Sequence, residues 1–465
     1  MLRASEVCER AGFPTSSLVC EGFLGQAAAT SVGLGMPNLP VAMIPGHPGA
    51  QSLEVLRANV DTITAQQVID NLLNEPAAQE LRPEPGARDI VFRGSFEDVN
   101  AYFYERQWSD GLPIVPPTLE KIEEFLSFTD RDANESLGIV LPESRAVTVW
   151  AVAVNGVMAG CRPEYMPILV ALAEAMADPI YGVEHSGNTP GSETLIILNG
   201  PIIKELGFNY QQGALRDGFM PNTSVGRFWR LALRNMAGFL PHKTDKGSFG
   251  NTFRVVLAEN EDALAKIGWA PNSVDMGFSA GDNTVTISRM TGGGVIVSVT
   301  GSEPEQMMPY IADGVAKQTS WEIVFTVGGL TYGTLRPALI LTPILAETIA
   351  RAGWSKDDVK RYLFKYARMT AARVEAITEK WADFPIVSLK QQVNLGKLPK
   401  DFAESDDPNR LVPIVLEPDD FMVLVSGDPL RTNAYTFAQN GYLGFPTAKQ
   451  IKLPANWAER IGVKK

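Results

Sequence analysis

Cysteine and histidine are scarce in this chain, three of each among 465 residues. Cys8, Cys20 and Cys161 are too few and too irregularly spaced for a disulfide framework, and no C-x-x-C pair suggests a compact metal or dithiol motif. Positive charge is also short: 41 Lys and Arg stand against 53 Asp and Glu, a net charge of −12. The basic residues are scattered rather than clustered, which argues against nucleic acid or an anionic membrane as partner. Every apolar stretch of membrane-spanning length is interrupted by glycine, proline or charge, and the opening MLRASEVCERAG does not read as a signal peptide. The expected location is the cytoplasm. Thr291-Gly292-Gly293-Gly294 lacks both the lysine of a phosphate-binding loop and the glycine spacing of a dinucleotide fingerprint, so it reads as a turn.

What is present is apolar content, 45% of residues, enough for large cores and for two to four domains. Residues 1–74 alternate helix and strand: Leu2 to Ala11 helical, Thr15 to Cys20 a strand, Phe23 to Gly33 helical, Pro40 to Ile44 a strand, Leu53 to Leu73 helical. That is an α/β pattern with only two strands. A parallel sheet needs more strands and both faces covered, so this domain reads as incomplete, the rest coming from another part of this chain or, as favoured here, from a second chain. A proline-rich linker is expected over 75–94 and a larger α/β domain over 95–375. A C-terminal extension packing on that domain follows over 376–465. Near the start of that larger domain, Trp108 to Thr118 reads as a turn and an extended segment, with Thr118 capping the next helix.

The larger domain contains an internal two-fold repeat, at about 145–240 and 290–375. The stretch Val149 to Met176 reads as a doubly buried strand, then a turn at Gly156, Gly160 and Pro163, then an apolar helix. Its pattern Gly160-Cys161-Arg162-Pro163-Glu164 returns as Gly301-Ser302-Glu303-Pro304-Glu305. Leu195 to Pro201 returns as Leu339 to Pro343, and Arg227 and Arg234 return as Arg361 and Arg368. Ser302 and Glu305 form a capping-box pattern, which places Ser302, and by the repeat Cys161, at a helix N-cap. A thiol there has its pKa lowered, so Cys161 is the candidate thiolate.

His185 and His242 lie in loops flanking the first copy and are the candidate proton carriers beside Cys161. The same three residues, Cys161, His185 and His242, form the alternative zinc set. Arg227, Arg230 and Arg234 share one helix face and could bind a substrate carboxylate. Phe364 replaces the middle arginine in the second copy, which reads as a structural pair with one variable member. Asn199, Arg227 and Arg431 are the candidate substrate-orienting residues. Asn199 is the polar residue at which the first copy's Leu198-Asn199-Gly200-Pro201 departs from Leu341-Thr342-Pro343.

Cys8-Glu9-Arg10-Ala11-Gly12, Val19-Cys20-Glu21-Gly22-Phe23 and Leu39 to His47 resemble the second half of the domain that defines the UGSC family of (seleno)proteins. DGLPIVPPT, VNGVMAGCRPEYMP, NGPIIKELGFN, AENED and GWSKDDV resemble the large domain that accompanies it. The motif naming that family, selenocysteine or cysteine ahead of Gly-Ser-Cys, is absent here. The resemblance implies redox chemistry and a small partner subunit that carries the CGSC-like motif and completes the first domain. The expectation is therefore one subunit of a hetero-oligomeric, thiol-dependent enzyme performing redox or elimination chemistry on a small polar organic molecule, without an identified cofactor. The alternatives are a zinc-dependent hydrolase or lyase, and a non-catalytic scaffold or binding subunit.

Overall fold

The computed structural model describes residues 2–74, 85–251, 255–328, 335–381, 388–439 and 444–462. The chain opens with helix α1 (Leu2–Arg10), strand β1 (Ser17–Cys20), helix α2 (Leu24–Gly33), strand β2 (Val41–Ile44) and helix α3 (Ala65–Leu73). This is the predicted order, and β1 and β2 pair in parallel from Ser17↔Val41 to Cys20↔Ile44 as a sheet of two strands. Residues 75–84 of the predicted linker lie outside the described residues. Beyond it, Thr118 caps the helix that starts at Leu119 by accepting from Lys121 N, as expected.

A short antiparallel hairpin, β3 (Ser136–Val140) and β4 (Arg145–Thr148), leads into helix α4 (Val149–Met158). The sequence suggested a buried strand for this stretch; the structure corrects it to a helix. Thr148 caps it by accepting from Ala151 N, and Gly160 ends it in the left-handed region at φ 75°. Eight of its ten residues are buried. A segment apolar on all sides carries no periodicity by which a strand and a helix could be told apart. Helix α5 (Met166–Ala177) follows and is likewise almost wholly buried.

Then come β5 (Glu193–Asn199), α6 (Met220–Asn235), β6 (Val256–Ala258) and β7 (Thr284–Ile296). The second copy supplies α7 (Pro304–Thr319), β8 (Ala338–Leu341) and α8 (Lys356–Tyr366), with the minor pair β9 (Arg368–Thr370) and β10 (Leu411–Pro413). It continues with β11 (Met422–Val425) and β12 (Ala434–Gln439), and β13 (Thr447–Gln450) completes the sheet. The order is β11-β8-β12-β7-β5-β6, with β13 also on β7. β5 and β6 run parallel, as do β8 and β11, while β5/β7, β7/β12 and β12/β8 are antiparallel. The order reads the same from either end about the β7/β12 seam, so the α/β class and the duplication are both visible in the topology. The structural units are longer than the sequence matches, because β11 and β12, inside the expected C-terminal extension, are sheet strands of the second copy.

The glycine run expected to form a turn lies instead inside β7, where Gly294, Gly293 and Gly292 pair with Thr436, Phe437 and Ala438. The Gly293 backbone passes so close to β12 that a Cβ would sit 2.4 Å from the Thr436 carbonyl oxygen. The sheet curls until its outer strands meet. Asn260 N donates to Val425 O at 2.8 Å and Ser426 Oγ to Ala258 O at 2.9 Å. Leu195, Ile197, Leu257, Ile340, Leu424 and Phe437 pack together as one cluster. The alternate residues Ile196 and Leu198 join α4, α5 and α6 in a second cluster, while Leu339, Leu341, Val423 and Val425 join α7 and α8 in a third. The period of two along each strand therefore feeds two layers at once.

Candidate functional site

The site is built on α6. Phe228, Trp229 and Leu231 are fully buried and fix the helix against the sheet, each side chain contributing on the order of 2 kcal/mol. This leaves Arg227, Arg230 and Arg234 directed along the opposite flank. Arg227 is used up structurally: its Nε and Nη2 hold both Asp110 oxygens at 3.0 and 2.9 Å, and Nη2 also donates to Pro113 O at 2.9 Å. Burial alone would raise the Asp110 pKa, but the bidentate Arg227 outweighs it and holds the carboxyl below its usual value. This pair anchors the Asp110-Gly111 turn to α6, which is the architectural reason for the D-G-L-P run.

Arg230 and Arg234 instead face a cavity of about 140 Å³, lined also by Asp110, Ser186, Leu233, Phe239 and Asp245. Arg230 contacts Glu193 at 3.3 Å. Arg234 donates to Gln107 O at 3.2 Å, and among the described residues no carboxylate comes within ion-pair distance of it. Burial and the neighbouring Arg230 lower its pKa, with Asp110 and Asp245 acting the other way. A guanidinium whose charge is disfavoured by its surroundings gains most from an incoming anion. The expected role of Arg234 as half of a structural pair is thus corrected; its counterpart Arg368 does play that part, donating to Leu411 O at 3.1 Å and Asp401 at 3.4 Å.

The cavity wall carrying Ser186 is held by Arg289, which is almost fully buried. Its Nη2 donates to Gly182 O at 2.8 Å and to Ser186 Oγ at 3.3 Å, and its guanidinium lies over the Tyr181 ring. His185 sits one residue before Ser186. Burial lowers its pKa, and Arg289 and Arg3 add to that effect against the pull of Glu184, which leaves the imidazole neutral at pH 7 and able to accept a proton. The facing wall comes from the loop after α6. Its residues Thr244 and Asp245 cross so near Gly187 that a Cβ there would lie 2.3 Å from the Thr244 carbonyl oxygen.

The amino-terminal unit abuts both loops. Arg3 on α1 pairs with Glu184 at 3.3 Å, and Gly25 on α2 lies against Lys243, whose carbonyl oxygen would be 2.9 Å from an added Cβ.

Several sequence expectations fail at this point. Cys161 is not at a helix N-cap: its N–H donates to Gly156 O as α4 ends, and Arg162 is the cap of the short 3₁₀ turn Pro163–Tyr165. Ser302 misses the N-cap as well, since Glu303 occupies that position before α7 and the Ser302 N–H donates to Gln306 Oε1. The Cys161 thiol is buried, and that burial pushes its pKa up to about 12 despite nearby Ser224 and Arg227. The expected lowered-pKa thiolate is therefore overturned by desolvation.

His242 is exposed, and its backbone carbonyl accepts from Lys246 Nζ at 2.7 Å. Among the described residues no three His, Cys, Asp or Glu side chains are grouped to hold a metal ion, so Cys161, His185 and His242 do not form the alternative zinc set. Asn199 is fully buried and committed to Glu259 at 2.7 Å and Glu261 at 3.0 Å. Arg431 lies at the other end of β5, β6, β8 and β11, where its carbonyl accepts from Thr342 Oγ1. Neither lines the cavity. The residues that do, Asp110, Ser186, Arg230, Arg234 and Asp245, were visible in sequence only as an arginine stripe and as polar Gly-rich loops.

Residues 2–74 match the UGSC family. No curated protein and no solved structure matches the chain. No helix among the described residues is long and apolar enough to cross a membrane.

Proposed function

We propose, starting from residues 2–74 as a UGSC-family segment, that this chain is the substrate-holding subunit of an enzyme acting on a small organic anion. The observation that carries the reading is the pair Arg230 and Arg234 facing one cavity, the second without a carboxylate partner among the described residues. The volume, about 140 Å³, is below that of sites for drug-sized ligands and suits a small carboxylic acid. Arg234 and Arg230 take the carboxylate, Ser186 supplies a hydroxyl, and neutral His185 or Asp245 moves the proton.

The reaction class we favour is thiol-dependent redox or elimination chemistry in the cytoplasm. Cys161 is not its reactive group, being buried and held protonated. The reacting thiol enters with a small partner polypeptide, and the family of residues 2–74 supports that assignment.

The test is a calorimetric titration of the chain with two- to five-carbon mono- and dicarboxylates. Wild type binds at least one, and Arg234→Gln weakens that binding about tenfold, the equivalent of about 1.4 kcal/mol. Absence of binding across the panel, or a variant that binds as tightly as wild type, sinks the reading. A purely non-catalytic binding subunit is the second reading, favoured by the buried Cys161. Turnover in the assembled enzyme that survives both His185→Gln and Asp245→Asn unchanged would select it.

A further inference from the structure

The two edges of the β1–β2 sheet are treated differently. Ser17 N donates to Pro40 O, so in this parallel register Ser17 and Val19 direct their amides at β2, while Val41 and Met43 direct theirs outward. Three of the four outward groups of β2 are already occupied by side chains. Gln67 Oε1 accepts from Met43 N at 2.7 Å, Thr64 Oγ1 donates to Met43 O at 2.8 Å, and Asn71 Nδ2 donates to Val41 O at 3.0 Å. The β2 edge is largely closed.

The β1 edge is open. Leu18 and Cys20 turn their N–H groups outward by the same alternation, and among the described residues neither finds an acceptor. The Leu18 side chain is 42% exposed. Beside it stands α1, tied to β1 by Ser5 Oγ and Ser17 Oγ at 2.7 Å, and none of its nine residues is buried. Val7 on this helix and Phe13 after it are also exposed. A bare strand edge with apolar surface next to it is a template for one more strand.

We propose that the β1 edge receives a strand from a partner polypeptide, running parallel to β1, and that the partner thereby reaches the cavity mouth. β1 ends at Cys20, and α2 begins four residues later. Gly25 of α2 touches Lys243, two residues before Asp245 of the cavity wall. A parallel neighbour of β1 delivers its own carboxyl end to the same side, where an open α/β sheet places its ligand-contacting loops. A second copy of this chain fits less well. Two-fold symmetry would pair β1 with β1 antiparallel, carrying the copy's Cys20 end away from the cavity, and would oppose two chains of net charge −12 each. The docking rests on the cavity reading only for its consequence, so the two are tested apart.

Proline at position 18 removes an outward N–H and leaves the bonds to β2 intact. The tagged full chain is expressed at native level in its own cells and purified, and amide exchange is followed by mass spectrometry. The expected result has three parts. One companion is present in fixed stoichiometry. Residues 17–20 exchange at least about tenfold more slowly in the assembly than in the chain purified alone. Leu18→Pro and Leu18→Lys both lose the companion while still binding the small carboxylate. The proposal is overturned by a companion retained by both variants, by 17–20 exchange that does not change with the companion, by the absence of any companion, or by self-association that protects the edge. Loss of carboxylate binding alone, with the edge result intact, removes the cavity reading and leaves the docking standing.

Discussion

At Cys161 two influences compete and their order decides the chemistry. Loss of water disfavours a thiolate, while the hydrogen bond with Ser224 and the charge of Arg227 favour it; with the side chain buried the first dominates, and the pKa rises to about 12. Iodoacetamide at pH 8 should therefore modify exposed Cys8 promptly and leave Cys161 untouched until the chain unfolds. Alkylation of Cys161 in the folded chain with a midpoint near pH 7 would contradict this.

His185 gives the opposite sign of experiment. Its folded pKa lies below the ordinary 6.5 because burial, aided by Arg289 and Arg3, disfavours the imidazolium. The unfolded chain therefore takes up a proton first as pH falls. The stability held by the neutral form is complete above pH 6.5 and is lost progressively below it. His185→Gln should flatten the fall in thermal midpoint on going from pH 7 to pH 5; an unchanged slope would show that other groups carry it. The residue chemistry here was only half legible, because an arginine stripe reveals its spacing but not which member already has a partner. Arg227 is consumed by Asp110, 117 residues away in sequence, and that distance is what the pattern cannot express.

Elements were legible where their period was simple. β1, β2 and the helix between them follow short apolar runs punctuated by Gly and Pro, and the repeat was readable from Pro163 and Pro304 and from the strands Leu195–Leu198 and Leu339–Leu341. They were illegible where burial removes the period, as in α4, and where long-range pairing overrides local preference. Gly292 to Gly294 would be a turn by composition. They lie in a strand because β12 approaches too closely for side chains at Gly293. The two cap assignments failed for a related reason: Cys161 and Ser302 each stand one residue too early, before the Arg162 and Glu303 that precede the prolines.

At the scale of the whole molecule, the curled sheet is held shut where β6 meets β11, and Glu259 is the clasp. It is fully buried and accepts from Asn199 Nδ2 at 2.7 Å, Asn272 N at 2.7 Å and Val425 N at 3.3 Å, joining the first copy to the second. Burial raises its pKa against the influence of Lys356 and these donors. Glu259→Ala leaves the Asn272 and Val425 N–H groups buried without acceptors and should cost about 2–5 kcal/mol, read as a lowered midpoint in urea. A change below about 0.5 kcal/mol would show that water replaces the carboxylate.

The β7–β12 seam has a further meaning. Equivalent strands of two like units pair antiparallel across an axis, which is how two identical subunits join in an isologous dimer. A homodimer of one such unit would be obliged to carry two identical cavities. Fusion into one chain lifts that obligation: one half keeps Arg230 facing a cavity, and the other sets Phe364 at the corresponding place. Two like units joined in one chain are free to divide the labour, one twin holding the cavity and the other supporting it.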